Sequence, residues 1–326
     1  MRDLTTNIFT VNENSFDATA LQIFKFQYES VAIYRAFCDA LKRNPSNVSL
    51  LKDIPFLPVQ FFKSHAVIAE GKAPEKVFES STTSGSVPSK HYVADLKLYE
   101  TSFQNSFNLF YGDVSNYAVV ALLPSYMERG TSSLLMMAHD FIGKSKYTES
   151  CFIADDFEGL YQKLITLKEK KAKILLLGVT YALLDFAAQF QIDLSDAVIM
   201  ETGGMKGRRS EITREEVHAI LKKAFCVSNI HSEYGMTEIL SQAYSKANGI
   251  YQSPPWMRVV LRDIYDPLNL DFHNKTGAVN VIDFANYYSC SFIATNDLGK
   301  MHRDGCFEIL GRMDNAEIRG CNLMYV

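Results

Sequence analysis

Three short, wholly apolar runs constrain this chain most: residues 118–123 (AVVALL), 174–177 (ILLL) and 197–200 (AVIM). A strand covered on both faces has no reason to alternate polar and apolar residues, so such runs are what buried parallel strands look like. Around them, residues 156–171 and 214–224 carry apolar positions at three- and four-residue steps, the spacing of an amphipathic helix. Alternation of the two patterns predicts an α/β fold built on a largely parallel sheet.

The flanking segments read differently. Over residues 17–43, Leu21, Phe24, Tyr28, Val31 and Tyr34 follow helical spacing until the Asn44-Pro45-Ser46 break. The two prolines of residues 54–64 (IPFLPVQFFKS) predict extended, packed chain. Beyond Trp256 the texture turns to short β-rich stretches at 257–261, 278–284, 291–294 and 306–310, separated by Asn, Asp and Gly turns. The expected organisation is an α/β core over 1–255, a β-rich subdomain of the same unit over 256–310, and a tail over 311–326.

With 47% hydrophobic residues in 326, the chain has ample material for a core. Its 33 basic and 37 acidic residues leave a net charge of -4, which supplies no global attraction for nucleic acid or anionic lipid. Any anion must be held locally. The N-terminus lacks a basic-then-apolar layout and no window reaches the roughly 18 apolar residues of a membrane span, so the expectation is a cytoplasmic protein. The six cysteines include no CxxC, which argues against a zinc site or disulfide framework.

Four polar segments stand out from this background. Ser80-Ser81-Thr82-Thr83-Ser84-Gly85-Ser86-Val87-Pro88-Ser89-Lys90 offers hydroxyls, backbone N–H groups and an ammonium, the donors a polyphosphate needs, although it is not a Walker A loop. In Tyr234-Gly235-Met236-Thr237-Glu238, a tight turn precedes a hydroxyl and a carboxylate, and magnesium is served by one or two carboxylates plus phosphate oxygens. Thr295-Asn296-Asp297-Leu298-Gly299 and Gly311-Arg312-Met313-Asp314 put an acid that can take both ribose hydroxyls near an arginine that can reach sugar or phosphate. Each segment alone is matched by an ordinary loop, strand-to-helix turn or surface arginine.

Taken in order, the four segments resemble the adenylate-forming superfamily of acyl- and aryl-CoA ligases, luciferases and peptide-synthetase adenylation domains. The resemblance implies that ATP is used with Mg²⁺. Thr82, Thr83, Ser84, Gly85, Ser86 and Lys90 would bind pyrophosphate; Tyr234, Gly235 and Thr237 would line the nucleotide site, with Thr237 on phosphate; Glu238 would hold the metal. Asp297 would bind ribose and Arg312 would close on the nucleotide. Met200-Glu201-Thr202-Gly203-Gly204 resembles the strip on which adenine lies, with Gly203 and Gly204 at its end. The loop departs from the family form, since Thr82 stands where glycine is common and Ser89 separates Pro88 from Lys90. In most of the superfamily a mobile domain of about a hundred residues follows the arginine and carries an adenylation lysine. Here residues 315–326 follow, and the expectation is a large N-terminal-type domain lacking most of that mobile one.

The strings Ile54-Pro55-Phe56-Leu57-Pro58, Phe62-Lys63-Ser64, Leu123-Pro124-Ser125-Tyr126-Met127-Glu128-Arg129 and Ala316-Glu317-Ile318-Arg319-Gly320-Cys321-Asn322-Leu323-Met324 are similar to the acyl-protein synthetase family of the bacterial bioluminescence fatty-acid reductase. That resemblance implies a fatty acid substrate, acyl transfer to Cys321, and an acyl-reductase or acyltransferase partner. A thiolate attacks a mixed anhydride readily, and Arg319 and Arg312 would lower the thiol pKa from about 8.5. His231 is not needed as a base, because a carboxylic acid is already ionised at neutral pH; two places stay open for it, lining the site or sitting satisfied beside the sheet, with the second slightly favoured. Tyr126, Met127, Leu134, Leu135, Met136 and Met137 suggest a helix with an apolar face, as suits a greasy acid and equally an ordinary core. Two other outcomes stay open: delivery of the acyl group to coenzyme A or a carrier protein, and a non-catalytic nucleotide-binding partner protein.

Overall fold

The computed structural model describes residues 4–5, 7–81, 87–124, 130–204, 212–270 and 276–313. In chain order the helices are α1 (Glu13–Ser30), α2 (Ala32–Ala40), α3 (Phe61–Ser64), α4 (Leu96–Tyr111), α5 (Ser133–Lys144), α6 (Phe157–Glu169), α7 (Thr180–Ala187) and α8 (Arg214–Phe225). The strands are β1 (Leu57–Pro58), β2 (Lys76–Glu79), β3 (Lys90–Val93), β4 (Ala118–Leu122), β5 (Cys151–Ile153), β6 (Ile174–Val179), β7 (Val198–Thr202), β8 (His231–Tyr234), β9 (Ala243–Ser245), β10 (Tyr251–Gln252), β11 (Met257–Arg262), β12 (Thr276–Asp283), β13 (Phe292–Met301) and β14 (Phe307–Arg312).

Contacts divide the chain into two compact units, one of residues 76–91 and 96–254, the other of 1–75, 92–95 and 255 onward. This differs from the expected division at 255. Residues 1–75 belong with the β-rich segment because their apolar and polar groups are satisfied there. Gln27, fully buried on α1, donates to the carbonyls of Asn286 (3.0 Å) and Tyr287 (2.9 Å) and accepts from the Ser291 N–H (2.9 Å). Leu57 and Pro58 pair in parallel with Ile293 and Ala294. Phe16 stacks on Phe284 with ring centres 4.5 Å apart.

In the first of these units the strand order is β10-β9-β8-β7-β6-β4-β5, parallel from β8 to β5 and antiparallel at β9 and β10. The three apolar runs are β4, β6 and β7, and every residue of β4 and β6 is buried. Each such Leu or Val contributes roughly 1.5–3 kcal/mol by leaving water. Two of the flanking helices carry their own start signals. Asp156 caps α6 by accepting from the Gly159 N–H (2.8 Å). Thr213 and Glu216 exchange hydrogen bonds of 3.2 and 2.8 Å in a capping box that opens α8.

The other unit is an antiparallel sheet in the order β11-β12-β13-β14, with β1 added beside β13. The helix expected over 17–43 is two helices, broken at Val31, whose extended backbone (ψ 97°) ends one and starts the other. Cys38, Cys151, Cys226, Cys290 and Cys306 are free thiols. Among the described residues no helix is long and apolar enough to cross a membrane.

Candidate active site

Parallel strands end together, so the segments that follow them form one rim where ligands of open α/β sheets bind. Residues 180, 203 and 235 begin the segments after β6, β7 and β8. Gly203 (φ 75°) and Gly204 (φ 64°) turn the chain through the left-handed region that glycine tolerates best. A Cβ at 204 would meet no atom within 4 Å, so the requirement there is backbone shape and not space.

Two buried carboxyl groups lie beneath this rim. Glu201 on β7 accepts from the Thr180 hydroxyl (2.6 Å), and the His218 imidazole of α8 stands 3.9 Å from its other oxygen, beyond hydrogen-bond reach. Burial raises the Glu201 carboxyl, but His218, Thr180 and Ser232 together outweigh it and leave it below the usual carboxylate range. Glu233 on β8 accepts from the Thr202 hydroxyl. Burial, helped by the charge of Glu201, pushes Glu233 up to about 7 against that hydrogen bond. Its Oε1 overlaps the place where a Cβ on residue 235 would fall, so a side chain there requires the Glu233 carboxyl to move.

After Gly235 the chain turns, with the Ile239 N–H on the Met236 carbonyl (3.3 Å). Tyr234 and Glu238 are buried, whereas Thr237 stays half-exposed. The Thr237 carbonyl accepts from His91 Nδ1 at 2.8 Å, which assigns the Nδ1–H tautomer. Burial lowers His91 to about 4, so its ring is neutral at pH 7. His91 follows Lys90 on β3, and the loop between β2 and β3 is closed at its base by Ser80 N–H to Ser89 O (3.0 Å) and Ser89 N–H to Ser80 Oγ (2.9 Å). Lys90 pairs with Glu79 at 3.3 Å and remains half-exposed. Thr82, Thr83, Ser84, Gly85 and Ser86 lie outside the described residues, as does Cys321.

In the β-rich unit the structure brings Asp297 and Arg312 together. They face each other across β13 and β14, with Arg312 Nε 3.5 Å from Asp297 Oδ1. The arginine is largely exposed and the aspartate nearly buried. His231 lies at the opposite end of β8 from the rim, 3.1 Å from the Tyr111 hydroxyl, and burial lowers it to about 4. Of the two places left open for it, this is the one beside the sheet, on the Tyr111 hydroxyl. Helix α5 carries Leu134 to Met137, whereas Tyr126 and Met127 are outside the described residues.

Sequence reasoning missed His91, Glu233 and Thr180, and it named Glu201 only as part of the adenine strip. Glu201, charged near the end of β7 after an apolar start, was the available signal there, whereas β8 reads His-Ser-Glu-Tyr and gives Glu233 no apolar background to stand out from. Nothing local to His91 marks its bond to a residue 146 positions away.

The acyl-protein synthetase family LuxE matches residues 137–325. No curated protein sequence matches the chain. Among solved structures it is similar to MatB from Rhodopseudomonas palustris with ATP bound, at 16% identity over 72% of this chain and 47% of that one, with a TM-score of 0.53. It is also similar to the long-chain-fatty-acid-CoA ligase FadD1 from Archaeoglobus fulgidus (12%, 72% and 51%, TM-score 0.51). O-succinylbenzoate coenzyme A synthetase MenE from Bacillus subtilis, in complex with AMP, gives 15%, 74% and 62%, with a TM-score of 0.50. The chain spans about half the length of these solved relatives. Identities this low establish the fold, the α/β domain of adenylate-forming enzymes, and nothing finer.

Proposed function

The chain belongs to the LuxE acyl-protein synthetase family, and from that premise we propose that it activates a carboxylic acid with ATP and passes the acyl group to its own Cys321. The observation that carries this reading is the family match, because residues 137–325 include Thr237, Glu238, Asp297, Arg312 and Cys321. A carboxylic acid of pKa about 4 is ionised at neutral pH and is itself the nucleophile. It attacks the α-phosphorus, the bond to the bridging oxygen breaks, and pyrophosphate leaves. No proton moves, which agrees with a neutral His231 held by Tyr111.

What remains for the protein is to bind and neutralise charge. The hydroxyls and N–H groups of residues 82–86 and the half-exposed Lys90 suit pyrophosphate, and the Thr237 hydroxyl suits a phosphate oxygen. Glu238 supplies one carboxylate next in sequence to Thr237, a donor set that fits magnesium, which fills its other positions with phosphate oxygens and water. Among the described residues no group of three or more acidic, histidine or cysteine side chains could form an all-protein cage. Magnesium bound there would neutralise phosphate charge. Asp297 suits the ribose hydroxyls, Arg312 the sugar or phosphate, and Gly203 and Gly204 the adenine strip. The Cys321 thiolate then attacks the carbonyl carbon of the mixed anhydride, AMP leaves, and a thioester forms for transfer to a reductase or acyltransferase. The substrate proposed is a fatty acid.

Acid-dependent ATP–pyrophosphate exchange over short, aromatic and long-chain acids tests the first step. Absence of exchange with every acid refutes activation. Intact-protein mass after incubation with MgATP and acid tests the second. Cys321→Ser is expected to keep exchange and lose the mass gain. Undiminished delivery to added coenzyme A or carrier thiol by that variant would replace self-acylation with a coenzyme A ligase activity.

A further inference from the structure

The Thr295-Asn296-Asp297 segment is not regular strand. On β12 a single residue, Val279, separates Ala278 from Asn280, yet their partners on β13, Leu298 and Ala294, are separated by Thr295, Asn296 and Asp297. Three residues oppose one, so the ladder opens where the acid sits, and backbone groups there lose their partners. Orphaned carbonyls in a buried sheet are costly unless something else donates to them.

Arg262, the last residue of β11 and itself buried, fills that gap. Its Nη1 donates to the Val279 carbonyl (2.6 Å) and to Asn280 Oδ1 (2.7 Å), and its Nη2 donates to the Thr295 carbonyl (2.7 Å). The Thr295 hydroxyl completes the clasp by donating to the Val279 carbonyl (2.9 Å) and accepting from the Asp297 N–H (3.1 Å). One planar guanidinium thus spans both sides of the opening. A lysine, a point donor, does not reproduce that fork. Burial lowers Arg262 to about 10 against the opposing charge of Asp297, which leaves it a cation at neutral pH.

We propose that Arg262, with the Thr295 hydroxyl, is the positioning clasp that holds the β13 bulge in the shape that aims the Asp297 carboxylate at a nucleotide ribose. This rests on the adenylation reading, in which Asp297 takes the ribose hydroxyls. Arg262 touches no substrate; it acts through the carbonyls on either side of the bulge.

The test is the ratio of kcat/KM for ATP over 2′-deoxy-ATP in acid-dependent pyrophosphate exchange, measured with the full chain. A hydrogen bond to a charged group predicts a wild-type ratio of about 10–100. Asp297→Ala should bring the ratio close to one. Arg262→Lys and Thr295→Val should each lower it by about fivefold or more, mainly through the KM for ATP, and Arg262→Lys should add no further loss in the Asp297→Ala background. A merely structural role would slow both nucleotides equally. A folded Arg262→Lys that keeps the wild-type ratio therefore overturns the clasp and leaves adenylation standing. If Arg262→Lys does not accumulate as folded protein, Thr295→Val decides in the same way. No acid-dependent exchange in the wild type, or an unchanged ratio in Asp297→Ala, removes the ribose reading and the clasp with it.

Discussion

Replacing Gly235 by alanine probes the packing beneath the strand ends most directly. Gly235 does not occupy the left-handed region, so alanine meets no backbone penalty there. Its Cβ would lie 2.4 Å from Glu233 Oε1 and 3.5 Å from Glu233 Cδ. An ordinary carbon–oxygen contact needs roughly 1 Å more, so the carboxyl must move, and it is buried with its other oxygen on the Thr202 hydroxyl. Overpacking of this kind costs about 1–3 kcal/mol. Lower chain entropy in the unfolded state returns about 0.4–1 kcal/mol, so a net loss of up to about 2.5 kcal/mol is expected.

Glu233→Asp shortens the offending side chain by one methylene and removes the clash at its source. In that background Gly235→Ala should cost less than about 0.5 kcal/mol, a coupling of the size contacting residues show. Urea unfolding of the four proteins at pH 7, with equal m-values, measures it. The unfolded-state contribution of alanine appears in both backgrounds and cancels in the cycle. Additivity within about 0.3 kcal/mol would refute the account, because the glycine would then accommodate something other than the Glu233 carboxylate.

Three further outcomes follow from the same geometry. Glu233 is raised to about 7 from an ordinary 4.5, so between those values the folded state holds a proton that the unfolded state has lost. Wild-type stability should fall as pH rises from about 4.5 to about 7 relative to Glu233→Gln, and parallel urea midpoints for the two proteins would contradict this. His91, lowered to about 4, gives the opposite slope: the unfolded ring binds a proton first, so stability falls as pH drops from about 6.5 to about 4. His91→Leu should remove that part of the slope, leaving the similar part from His231, and should raise the KM for MgATP in pyrophosphate exchange more than it lowers kcat, with partial recovery in His91→Asn. Thr213→Ala should lower stability by about 1 kcal/mol in urea unfolding by opening the capping box of α8.

Much of the fold was legible because buried parallel strands are locally distinctive. Residues 118–123, 174–177 and 197–200 read as strands and are β4, β6 and β7. What the sequence hid was long-range. The break at Val31 has no proline or glycine to announce it. β13 runs for ten residues, whereas residues 291–294 were the expected strand, because Asn296, Asp297, Gly299 and Lys300 interrupt the apolar pattern. The association of residues 1–75 with the β-rich segment depends on partners such as Gln27 and Ser291, 264 positions apart, and no window of sequence contains both.

The candidate site divides along the same physical line. Thr237, Asp297 and Arg312 could be named from the sequence because they belong to short, recurrent strings, Thr237 in the turn after β8, Asp297 in the irregular middle of β13 and Arg312 at the end of β14. The residues that hold two of those groups in place are buried and far away in sequence: His91 on the Thr237 carbonyl, Arg262 on the carbonyls around Asp297. Irregular backbone requires them. A turn or bulge that presents a side chain also strands carbonyls and N–H groups that a regular ladder would satisfy. An apolar replacement at 91 or 262 leaves those carbonyls buried and unmet, so it should damage the site through backbone shape while every ligand-facing side chain is still present. Substitutions confined to the ligand-facing residues would therefore underestimate how much of the sequence specifies the chemistry. The buried donors are as much a part of the site as the groups they aim.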